Sequence, residues 1–213
     1  MTVRNLEYFF KPASVALIGA TSRKASIGRV LTENLWNGGF RGELFAVNPN
    51  RETIDGIPAY PNLDSLPKVP ELAIIATPPA SVPELIAELG KRGTKAAVVI
   101  TSGFASGGDL GGEGGYGPIL EAAKPYLLRV LGPNCMGVTV PRHGLHVNCS
   151  RVRALPGSIA FVAQSGAVQT VVLDWAAERH IGFSHFVAIG DMADVDFGDM
   201  LDYLANDPSA RAI

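Results

Sequence analysis

The chain has 213 residues, of which 47% are hydrophobic and 18% charged, and a formal net charge of −2. Such a composition supports a sizeable buried core and argues against intrinsic disorder. The near-neutral charge gives no electrostatic footprint for nucleic acid or an anionic membrane, two cysteines build no disulfide framework, and apolar runs such as LAIIA and AAVVI are far too short to span a bilayer, so a cytoplasmic protein acting on small molecules is expected.

In chain order, the first predicted element is the strand SVALIGA, which ends at Gly19. The loop Gly19-Ala20-Thr21-Ser22-Arg23-Lys24 follows, and a helical pattern begins at Gly28 with GRVLTENLWNGGF and stops at Gly38-Gly39. A strand, a glycine turn and a helix N-terminus aim backbone N–H groups and the positive end of a helix dipole at one spot, which suits a phosphate. A dinucleotide fingerprint needs G-x-G-x-x-G, and Thr21 stands where the second glycine belongs. The next strand, GELFAVNP, ends in Asn48-Pro49 and lacks the acidic residue that takes the ribose hydroxyls of NAD. An NAD-type oxidoreductase domain is set aside on these two grounds. Arg23, Lys24 and Arg29 favour a ligand richer in phosphate than NAD, such as coenzyme A; a solvated basic loop accounts for the same charges.

Further strands are expected over ELAIIATPP, KAAVVITSGF and LRVLGPNCMG, with helices over SVPELIAELGKRG, capped by Ser81, and YGPILEAAKPYL, with Pro118 near its start. Alternating apolar strands and helices predict a doubly wound α/β unit with a parallel sheet. Ligands in such sheets bind at the carboxyl ends of the strands, so Asn48-Pro49, Thr77-Pro78, Thr101 and Asn134-Cys135-Met136 should share one rim with Gly19. The run GFASGGDLGGEGGYG, eight glycines in fifteen residues, reads as a surface loop. VTVPRHGLHVNCSRVRALPG, from Val138 to Gly157, reads as an irregular crossover. A second α/β pattern then starts: SIAFVAQSG, AVQTVVLDWAAERHI, FSHFVAIGD and DFGDMLDYLANDP. Ser165 and Gly166 open its first helix, where free N–H groups could hold a phosphoryl group and where Ser165 is equally an ordinary cap. Two parallel strands make a poor core, so the chain reads as the front part of a longer protein. The four histidines are scattered, and no metal site is expected.

Taken together and in order, SVALIGAT, GFRGELFAVNPN, GIPAYPNLDSLP, LAIIATPP, GPNCMG, SIAFVAQSGAV and LDWAAERHIGFSHFVAIGDMADVDFGDMLDYLANDP resemble the NDP-forming acyl-CoA synthetase superfamily. The resemblance implies a Rossmann-like CoA-binding domain over residues 1–140, a crossover linker over 141–157 and the start of a flavodoxin-like domain over 158–213. It implies an acid-thiol ligase that interconverts acyl-CoA, NDP and phosphate with acid, CoA and NTP. The cofactor would be coenzyme A or acetyl-CoA; ATP or GTP would enter only through modules outside this chain. Partners would be the rest of a multidomain protein or a nucleotide-grasp subunit, in an oligomer.

By resemblance, Gly19, Ala20, Thr21, Ser22, Arg23, Lys24 and Gly28 form a cradle for the CoA phosphates. Asn48, Pro49, Thr77, Pro78 and Thr101 contact the adenosine and pantetheine, and Asn134, Cys135 and Met136 lie near the thiol end. The family's chemistry runs through a phosphohistidine in a later segment, so Cys135 is read as a packing and orienting residue and no catalytic residue is assigned. Where ligases of the family commonly read GNKADVD, this chain has Gly190-Asp191-Met192-Ala193-Asp194-Val195-Asp196. That departure favours the alternative: an acyl-CoA-sensing regulatory module of a GNAT-fused lysine acetyltransferase.

Overall fold

A computed structural model describes residues 2–104 and 115–213. The greater part of the predicted glycine-rich loop, 105–114, lies outside the described residues.

The first sheet contains β1 (Ser14–Ile18), β2 (Glu43–Val47), β3 (Thr53–Ile54), β4 (Ile57–Tyr60), β5 (Leu72–Ile75), β6 (Ala96–Val99) and β7 (Arg129–Leu131), in the order β3-β4-β2-β1-β5-β6-β7. Every pairing is parallel except β3 with β4. All residues of β1, β5 and β6 are buried, because alternate side chains enter two different cores. Val15, Leu17, Leu72 and Ile74 face one core, with Leu31 and Leu35; Ala16, Ile18, Ala73 and Ile75 face the other, with Ile86, Leu89 and Ile119. A strand covered on both sides needs the near-continuous apolar runs that the sequence carries.

Helix α1 (Glu7–Phe10), which the sequence reading did not anticipate, seats Phe9 and Phe10 in the first core. Helix α2 (Ile27–Asn37) is capped by Ser26, whose hydroxyl accepts from the Arg29 N–H at 3.4 Å, and it buries Leu31 and Leu35 one turn apart. Helix α3 (Val82–Arg92) buries Val82, Ile86 and Leu89 and ends at Gly93, which is left-handed. The cap predicted at Ser81 differs in detail: its hydroxyl donates to Thr77 Oγ1 and the Pro78 carbonyl and caps no helical N–H. Helix α4 (Gly117–Ala123) is shorter than predicted and passes into a tighter turn over Lys124–Tyr126.

The predicted irregular crossover is instead an antiparallel hairpin, β8 (Gly137–Val140) and β9 (Leu145–Asn148). It joins β10 (Leu155–Ala163) and β11 (Gly182–Ala188) in a second sheet ordered β10-β11-β8-β9, in which only β10 and β11 run parallel. The hairpin supplies the partners that two lone parallel strands lack. Helices α5 (Gly166–Glu178) and α6 (Phe197–Ala205) complete this part.

The two sheets share one core, in which Val138, Val140, Leu145 and Val147 meet Leu31, Leu35, Phe9 and Phe10. The segment after β11 returns along the outer side of β7, with the Ala193 N–H donating to the Gly132 carbonyl and the Val195 N–H to the Val130 carbonyl. There the buried Arg129 guanidinium donates to Asp194 at 2.9 Å and to Asp199 at 2.6 Å, and to the Thr2 carbonyl at 2.7 Å. No helix among the described residues is long and apolar enough to cross a membrane.

Candidate functional site

In the first sheet β2 lies on one side of β1 and β5 on the other, so the strand order reverses at β1. A crevice opens at the carboxyl ends of the strands at such a reversal. Gly19 sits there, bonded through its N–H to the Val47 carbonyl, while the Ala76 N–H donates to the Ile18 carbonyl.

The two glycines of the first loop are required by the protein's own backbone. Gly19 has φ +99°, and a Cβ on it would lie 2.6 Å from the Ala76 carbonyl oxygen. A Cβ on Gly28 would lie 2.3 Å from the Gly19 carbonyl oxygen, so the start of α2 is pressed against the turn. The loop between them is tied locally. Thr21 Oγ1 accepts from the Arg23 N–H at 3.2 Å, Ser26 donates to the Arg23 carbonyl, and Arg29 reaches back to the Ser22 carbonyl at 3.0 Å. Arg23 and Lys24 are exposed. Asn48 donates to the Ala20 carbonyl at 2.8 Å and accepts from the Asn50 N–H, so its side chain sets the height of the loop from the neighbouring strand.

Further along the rim, Thr101 donates to the Thr77 carbonyl at 2.7 Å, binding the ends of β6 and β5 together, while Pro49 and Pro78 stay exposed. The Asn134 N–H donates to the Thr101 carbonyl at 2.9 Å, and its side-chain amide donates to Asp191 at 3.1 Å. Tyr116 donates its hydroxyl to the other Asp191 oxygen at 2.7 Å, which with burial pushes the phenol up to about 12. The sequence reading gives neither Tyr116 nor Asp191 a place in the site; Asp191 enters there only as part of the departure from GNKADVD.

Cys135 is buried, its thiol turned toward the Val99 carbonyl at 3.3 Å, and burial pushes its pKa well above the usual thiol range. Burial also pushes the Cys149 thiol up to about 12. Thiols so held carry no thiolate at neutral pH, which agrees with a packing role for Cys135.

Asn134, Cys135 and Met136 line a cleft of about 340 Å³ together with Ser165 and Gly166, and with Ile27 and Cys149, which the sequence did not flag. Two helix N-termini meet on this cleft: α2 through Ile27, and α5 through Ser165, whose hydroxyl caps it by accepting from Val168. Met136 packs so closely on the start of α5 that a Cβ on Gly166 would lie 2.3 Å from its Cγ. The arrangement suits an elongated anion, with phosphate at the α2 end and a second anionic group at the α5 end. No carboxylate stands at the end of β2 to repel phosphate there.

Residues 13–141 match the family described as CoA binding domain, and residues 156–213 match the succinyl-CoA ligase like flavodoxin domain. The chain is 38% identical over 208 residues to acetate--CoA ligase [ADP-forming] I of Archaeoglobus fulgidus, covering 98% of this chain and 30% of that protein. It is 36% identical over 212 residues to the alpha subunit of acetate--CoA ligase [ADP-forming] II of Pyrococcus furiosus, covering 98% of this chain and 45% of that one. Among solved structures, the dinucleotide forming acetyl-coenzyme A synthetase 1 of Ca. Korarchaeum cryptofilum matches with a TM-score of 0.89 at 34% identity, over 96% of this chain and 44% of that one. The chain therefore spans between about a third and a half of the length of these relatives. Their names give the acetyltransferase-linked alternative no support.

Proposed function

The chain belongs to the CoA-binding domain family within the NDP-forming acyl-CoA synthetase superfamily, and from that premise we propose that it is the coenzyme A-holding part of an ADP-forming acid-thiol ligase. The observation that carries this reading is the cleft of about 340 Å³ joining the Asn134–Met136 turn to the N-terminus of α5. Coenzyme A or acetyl-CoA, when bound, supplies the thiol or thioester.

The chain's own residues place and orient it. The loop from Gly19 to Gly28, Ala20, Thr21, Ser22, Arg23 and Lys24 included, holds the pyrophosphate over the start of α2. Asn48 and Pro49 border the adenosine, and Thr77, Pro78 and Thr101 border the pantetheine arm. Asn134, fixed by Asp191, Cys135 and Met136 bring the thiol end opposite Ser165 and Gly166, whose free N–H groups receive a phosphoryl group. No residue of this chain is assigned a catalytic role. The phosphorylated histidine and the ATP or GTP site belong to other modules, either further parts of the same protein or a nucleotide-grasp subunit, in a cytoplasmic oligomer. The same reading treats residues 1–140 as the CoA-binding unit and 158–213 as the start of the flavodoxin-like unit, with the 141–157 connection carrying β9 and the start of β10 rather than an irregular linker.

Titration calorimetry tests the ligand. CoA is expected to bind and NAD is not; NAD binding as tightly as CoA overturns the reading.

A further inference from the structure

A second basic feature lies beside the proposed coenzyme A loop, on the flank of α2. A cleft of about 710 Å³ is lined there by Lys24, Arg29, Glu33 and Asn34 and, from across the groove, by Arg151 and Arg153. Four cations thus share one concave surface with a single carboxylate, Glu33, which is already paired with Arg29 at 2.7 Å. Neither Lys24, Arg151 nor Arg153 forms an ion pair among the described residues.

The fold fixes Arg29 and the backbone that carries Arg151 and Arg153. Asn34, itself buried, donates its amide to the Asn148 carbonyl at 2.8 Å and the Ser150 carbonyl at 2.7 Å, which locks the segment after β9 onto α2. Within that segment the Ser150 N–H donates to Asn148 Oδ1 and the Val152 N–H to Ser150 Oγ, both at 3.0 Å. Arg29 is anchored on its other side by the Ser22 carbonyl. Burial, and after it the charge of Arg153, disfavour protonation of His146 on β9. Like charges lining one cleft repel each other and focus a positive potential into it, and an entering dianion relieves that repulsion. Guanidinium groups match the oxygens of a phosphate in pairs.

We propose that this cleft, which borders the loop at Gly19 through Lys24, is a phosphate site in which Arg29, Arg151 and Arg153 hold a phosphate dianion. Two sources present that chemistry: free inorganic phosphate, or the ribose 3′-phosphate of coenzyme A. The second source rests on the coenzyme A reading above; the first does not.

The test uses the whole chain with Arg151→Gln and Arg153→Gln together, and with both changed to Lys as a charge-conserving control. Both arginines are exposed, and circular dichroism checks the fold. Inorganic phosphate is titrated by phosphorus NMR, and CoA and dephospho-CoA by calorimetry. The Gln pair is expected to lower the affinity for phosphate at least about tenfold, as loss of charge-assisted hydrogen bonds does, with the Lys pair retaining most of it. If CoA weakens by that factor and dephospho-CoA is unchanged, the source is the 3′-phosphate; if phosphate alone weakens, it is the free ion. No change in any titration, or an equal loss for CoA and dephospho-CoA without loss of phosphate, overturns the proposal. Should the unaltered chain bind neither CoA nor dephospho-CoA, the coenzyme A reading fails while the phosphate titration still decides this one.

Discussion

The two sheets solve the same packing problem with different materials. In the first, Val15–Ile18, Leu72–Ile75 and Ala96–Val99 are aliphatic throughout and wholly buried, and the rim turn above them is locked by backbone contact at Gly19 and Gly28. In the second, Thr139, His146, Asn148, Ser184 and His185 are buried within the strands, where the Asn148 amide donates to Thr139 at 2.6 Å while one ring nitrogen of each histidine has no partner. The first sheet is therefore sensitive to added volume, and the second to lost hydrogen bonds and to protons.

The sharpest way to break that contrast is Gly19→Ala. The new Cβ would meet the Ala76 carbonyl in a left-handed conformation, and overpacking and backbone strain together should cost about 2–6 kcal/mol. Urea unfolding measures it, and a loss below about 1 kcal/mol would show that the rim is not a steric lock.

Acid should act on the second sheet. Burial lowers His185 and His146 from 6.5 to about 4, against the opposing pull of Asp207 on His185 and with the added repulsion of Arg153 on His146. Between those values the unfolded chain binds protons that the folded chain excludes, so stability should fall as the pH drops from about 6.5 to about 4 and level off above that window. The urea midpoint followed against pH reports this, and replacing both histidines by Gln should flatten the curve. An unchanged slope in the double variant would place the acid sensitivity elsewhere.

Smallest of the three is Asn148→Ala, which removes the donor to Thr139 and the acceptor for the Ser150 N–H. It should cost about 1–3 kcal/mol in urea unfolding. A neutral result would mean that the polar interior of this sheet is not held by its side-chain bonds.

The same contrast explains what was legible in the sequence. The first sheet's parallel strands and flanking helices announce themselves as apolar runs with glycine stops; of the two expected caps Ser165 caps its helix and Ser81 does not, and Ser26 is a cap the sequence reading did not name. The β8–β9 hairpin was read as irregular because Pro141 and the inward-facing polar residues His146 and Asn148 break the apolar pattern; its signal was the turn at Gly144, which is left-handed. The β3–β4 hairpin was missed although Asp55-Gly56 turns it with both residues left-handed, a favoured hairpin pair, because β3 has only two residues. At the site, the rim residues follow from strand ends alone. Ile27, Cys149, Tyr116 and Asp191 do not: Cys149 and Asp191 reach it through the second sheet and the segment after β11, and Ile27 and Tyr116 stand at helix starts.

The return of the chain along β7 has a consequence for assembly. A parallel sheet offers an open ladder at each outer strand, and an open ladder is a template on which another molecule can add a strand. Here the Val130 N–H is taken by the Asp194 carboxylate, and the Val130 and Gly132 carbonyls by the Val195 and Ala193 N–H groups. At the opposite margin, β3 offers a two-residue strand. Any intruding strand at β7 must first peel away a segment anchored by Arg129, so residues far along the chain guard the seven-stranded sheet against strand exchange between molecules.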